Sequence, residues 1–169
     1  MPCDQYVQLI RFSLAASATQ TVMYLNQMVS FKNATVPDHW VRVPQPKLEA
    51  LFGFVADPYT QDWEYEHADG SRIAEFVAAY ELPDLSDDER FALMALCMSS
   101  AHDAFDSGTL ADATWERIHE LLVANRELHA CTILDWCCAD ATCDNEMFTL
   151  TPRMREVWAA AFDSESRGT

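Results

Sequence analysis

A chain of 169 residues and 19.1 kDa is long enough for one compact domain with a sizeable core and too short for two comfortable ones. Half of its residues are hydrophobic and 22% are charged, which excludes a disordered tail. Only 4 glycines argue against nucleotide folds built on Gly-rich loops and against turn-dense β-barrels, and a formal charge of −16 argues against gripping a phosphate backbone.

The opening Met1-Pro2-Cys3-Asp4 lacks the basic stretch and apolar segment of a signal peptide. The first thirty residues read as a helix capped by Asp4. Val7, Ile10, Leu14, Ala18, Val22, Leu25 and Val29 step by three and four and form one apolar stripe. Pro37, Pro44 and Pro46 forbid a regular helix between Phe31 and Pro46, and Val41-Arg42-Val43 allows at most a short extended piece. A short helix follows over 47–56 with Leu48, Leu51, Phe52 and Val55 inward. Residues 57–70 (DPYTQDWEYEHADG) lack helical periodicity, so a loop or a short extended segment is expected there. Helix returns over 71–81, with Ile73, Phe76, Val77 and Tyr80 on one side.

Ser86-Asp87-Asp88-Glu89 has the spacing of a capping box. The helix it starts is apolar on most sides (Phe91, Leu93, Met94, Leu96, Cys97, Met98, Ala101, Phe105), so it belongs at the centre of the fold, with Gly108 just past its end. Its uninterrupted apolar run, Phe91 to Met98, is the longest in the chain and far short of the roughly 18 residues of a membrane span. A helix capped by Thr109 or Asp112 buries Trp115, Ile118, Leu121 and Leu122. Another runs from Glu127 to Cys138 and carries Leu128, Cys131 and Leu134. After a polar loop, Thr151-Pro152 reads as an N-cap with proline at the first helical position. Met154, Val157, Trp158, Ala161 and Phe162 form the last stripe, and 164–169 should fray. The expected fold is all-α: a single compact domain over 1–163, a bundle of about seven helices with antiparallel helix pairs in its C-terminal half.

The charge is lopsided. Residues 1–56 carry four cations against three acids, whereas 57–169 carry seven arginines against 24 acids. Residues 57–89 alone hold eleven acids and one cation, Arg72. Acids on a surface ordinarily serve solubility. Here they interleave with Tyr59, Trp63 and Tyr65, and aromatic side chains anchor interfaces. A dense run of like charge also favours an opposite charge on another molecule. The expected contact surface is Asp57, Tyr59, Asp62, Trp63, Glu64, Tyr65 and Glu66, with Asp84, Asp87 and Asp88 as a second patch. The alternative for Trp63 and Tyr65 is a loop folded back over the core.

Catalytic signatures are sparse. No P-loop, G-x-G-x-x-G, G-x-S-x-G or H-E-x-x-H occurs. Glu64…His67 and Glu116…His119 have the Glu-x-x-His spacing of carboxylate-bridged metal sites, but only the second pair falls on an expected helix. His102 reads as a core-edge histidine. With Asp103 and Asp106 it would make an acid–base cluster that lacks a nucleophile. His129, Cys131, Cys138 and Cys143 are a conceivable zinc set with poor ligand spacing, and Cys143 in its acidic loop makes a poor nucleophile. No cofactor, catalytic residue or metal is expected, and reduced cysteines would behave as small hydrophobes.

The 86–163 region, with ERFALMALCMSSAHDAF, TWERIHELLVANRELHACTILDW and LTPRMREVW, resembles in style the small acidic immunity proteins that bacteria pair with polymorphic or contact-dependent toxins. The resemblance implies a cytoplasmic, non-catalytic inhibitor whose acids and aromatics plug the basic groove of a nuclease-type toxin. It assigns no role to any single residue. Three other readings compete. A nucleic-acid mimic that blocks a DNA-binding protein would need acids spaced along an extended face, whereas these are clustered. An enzyme would build a carboxylate or metal site on Glu116 and His119. A helical scaffold subunit would expose a large apolar patch.

Overall fold

A computed structural model describes residues 46–55, 62–138 and 147–162. The expected helix over the first thirty residues, Cys3, Asp57, Tyr59, Cys143 and the 164–169 tail lie outside the described residues. Seven α-helices and one 3-10 turn are present among the described residues, and no strand. They are α1 (Pro46–Phe52), α2 (Trp63–Glu66), the turn Gly70–Arg72, α3 (Ile73–Tyr80), α4 (Asp87–Asp106), α5 (Asp112–Ala124), α6 (Ala130–Cys137) and α7 (Thr151–Phe162). No helix of the described residues is long and apolar enough to cross a membrane.

The central position of α4 follows from its composition. Its buried side chains are spread over almost every turn, from Phe91 through Met98 to Ala104, rather than confined to one stripe. α1, α2, the 3-10 turn and α3 pack on it, while α5 and α6 both pack on α7. One apolar core joins these elements, running from Leu48 and Phe52 to Val157 and Trp158. The capping box forms as its spacing predicts: Glu89 N donates to Ser86 Oγ (3.2 Å) and Ser86 N donates to Glu89 Oε2 (2.7 Å). Gly108 sits in the left-handed region (φ +71°), and Gly108 N→Phe105 O with Thr109 N→Ala104 O closes the helix.

Elsewhere the boundaries differ from expectation, each for a local reason. α1 stops at Phe52 because Gly53 adopts φ +70° and Phe54 N donates to Glu49 O (2.9 Å). Val55, expected inward, lies past this turn and is exposed, and Leu51, inside α1 and also expected inward, is exposed as well. The expected extended segment is a single helical turn at 63–66 in its described part. The next helix opens with a 3-10 turn, where Asp69 Oδ1 accepts from Ser71 N (2.9 Å) and Ser71 Oγ (2.6 Å). Neither Thr109 nor Asp112 caps α5. Ala111 holds that position without a side-chain bond, and Thr109 Oγ1 donates to Ala104 O instead. α6 begins at Ala130, three residues later than expected, and ends on Cys138 in the left-handed region (φ 43°). Thr151 lies inside α7, buried, with its hydroxyl donating to Trp136 O (3.0 Å). Arg155 completes this junction by donating to the carbonyls of Cys137 and Cys138 at the end of α6.

Candidate functional site: the acidic corner formed by α1 and α2

α2 is held in place by aromatic packing. The Phe54 ring, just beyond α1, lies parallel to His67 (4.2 Å between centroids, 4°) and edge-on to Trp63 (5.8 Å). Trp63 also meets His67 edge-on (5.4 Å). Arg72 brings its guanidinium within 5.1–5.8 Å of the Phe52, Phe54 and Phe76 rings and donates to Phe52 O (3.1 Å). This clamp fixes which α2 side chains face water. Trp63 is 3% exposed, so the ring expected to anchor a partner is a core ring instead. Apolar area made the difference: burying an indole against its aromatic neighbours outweighs leaving its Nε1 without a hydrogen-bond partner. Tyr65, two residues on, is 53% exposed, and Asp62 and Glu66 are also exposed.

Glu64 is half-buried, and its Oε2 is enclosed without a donor. Burial pushes its carboxyl above the usual range. Its own backbone amide opposes this, and the Asp62 and Asp135 carboxylates add to the rise. Negative potential thus concentrates between α2 and the Asp135 position of α6.

The second expected patch differs in kind. Asp84 forms an ion pair with Lys47 (3.0 Å), whose hydrogen bond holds the Asp84 carboxyl below its ordinary value. Glu89 also reaches Lys47 (3.6 Å). Asp87 and Asp88 stay exposed in the first turn of α4. The turn that follows α2 docks further along α4, where Asp69 N donates to Ser100 Oγ (3.1 Å), about 20 Å from Asp87 at the helical rise. The two acid-rich stretches therefore sit at different levels of α4. Asp62, Glu64, Tyr65 and Glu66 form one neighbourhood, and Asp84, Asp87 and Asp88 another.

The conceivable chemical sites separate in space. Among the described residues no group of three or more His, Cys, Asp or Glu side chains is placed to hold a metal ion. His67 is stacked on Phe54. His102 sits at the core edge as expected, between the Trp136 ring (5.6 Å) and Asp106 (3.7 Å). His129 is buried with its Nε2 2.6 Å from Tyr80 Oη, and burial pushes its imidazole down to about 3. Cys137 donates to Met154 O, and burial pushes its thiol up to about 12. Cys138 Sγ accepts from Thr151 and donates to Asp135 O.

Sequence reasoning missed Leu51 and Val55, which are 45% and 82% exposed beside α2. For Val55 the available signal was Gly53, since a left-handed residue there ends the helix before it; Leu51, inside α1, carried no such signal. Comparison with protein-family models, curated proteins and solved structures found no match.

Proposed function

We propose that this chain is a non-catalytic acidic binding protein that neutralises a basic partner protein, as an immunity-type inhibitor of a bacterial toxin such as a nuclease. One observation carries the reading: the cations of the described residues are consumed internally while acids remain over. Lys47, Arg72, Arg117 and Arg153 pair with Asp84, Glu75, Glu81 and Asp112, and Arg90 and Arg155 are bound to backbone carbonyls. Asp62, Asp87, Asp88 and Asp103 face solvent outside any ion pair of the described residues. Surplus carboxylates on a chain of formal charge −16 steer a cationic protein from beyond contact range and raise its rate of capture. Tyr65 among them supplies apolar contact area that charge alone lacks.

The test is capture of binding proteins on the purified chain, followed by assay of the captured protein with and without the chain. The reading expects a protein rich in Lys and Arg whose activity falls when the chain is added and recovers in high salt. The combined Asp62→Lys, Glu64→Lys, Glu66→Lys variant should bind about tenfold or more weakly while a thermal melt shows it still cooperatively folded. Capture of neutral or acidic proteins alone, or of a basic protein whose activity is unaffected, overturns the reading. Full-strength binding by the triple variant removes α2 from the contact.

A further inference from the structure

We draw no further inference here: the strongest candidate, the adjacent buried thiols of Cys137 and Cys138 where α6 meets α7, carries nothing because each sulfur is already engaged, Cys137 Sγ with Met154 O and Cys138 Sγ with Asp135 O and Thr151 Oγ1, and nothing in the structure points to a ligand or an oxidant for either.

Discussion

Trp63 and Tyr65 are two residues apart, and the chain treats them oppositely. One packs edge-on against the stacked Phe54 and His67 rings while the other meets solvent. Composition marked both as interface aromatics. The choice between them depends on a ring outside the helical turn, Phe54, and no local pattern encodes it. His129 is a similar case. Its sequence neighbours suggested a metal ligand, yet its ring is paired with Tyr80 Oη, forty-nine residues away, and stacked near Phe91 (6.2 Å). Burial keeps this imidazole neutral in the fold, whereas the unfolded chain binds a proton near the ordinary value of 6.5. The unfolded state then holds more protons as pH falls below 6.5, so stability declines from there toward pH 3. Ordinary carboxylates contribute little between about pH 6.5 and 5, and comparison with a variant that lacks only this histidine removes what Glu64 and the other four histidines contribute. Chemical denaturation across that window should show stability falling with acidity in the native chain. The slope should be smaller in His129→Gln, which starts from lower stability because the Tyr80 contact is altered.

At the scale of elements, signals confined to a few neighbouring residues were legible. The Ser86–Glu89 capping box and the Gly108 terminus both form as their spacing predicts. Boundaries shifted where a tertiary partner claimed the capping atom. Thr151 gives its hydroxyl to Trp136 O rather than to an amide of its own helix. The glycines divide by the same logic. A Cβ on Gly70 would stand 2.7 Å from Ala104 N, whereas one on Gly53 would meet nothing within 4 Å and would suffer only from φ +70°. Gly70→Ala should therefore cost about 1–3 kcal/mol or displace the turn from α4. Gly53→Ala should cost about 1 kcal/mol through backbone strain alone. Equilibrium denaturation of the two variants checks this.

For the molecule as a whole, the helical class and the central position of α4 could be read from apolar periodicity because burial acts on every turn of a helix. The acidic surplus was equally visible. Which acids are already satisfied was not, since Lys47–Asp84 and Arg117–Glu81 join residues 37 and 36 positions apart. A formal charge of −16 also has a mechanical effect: like charges press the fold apart, and dissolved ions relieve that pressure. The exposed ion pairs that salt weakens are each worth about 0–1 kcal/mol. Relief of repulsion should win, and melting temperature should rise by about 2–4 °C between low and moderate NaCl, the equivalent of roughly 1 kcal/mol for a chain of this size. A thermal melt series in NaCl reads it directly, and a falling melting temperature would mean that the ion pairs dominate.

The nearest atoms to a side chain at position 70 would be the nitrogen and α-carbon of Ala104, so the crowding there is between two main chains. Trimming residue 104 cannot make room. The turn before α3 therefore keeps its berth on the central helix whatever side chains the neighbouring surface carries. The position of that turn is thus set by backbone against backbone, and it is indifferent to the chemistry of the side chains around it.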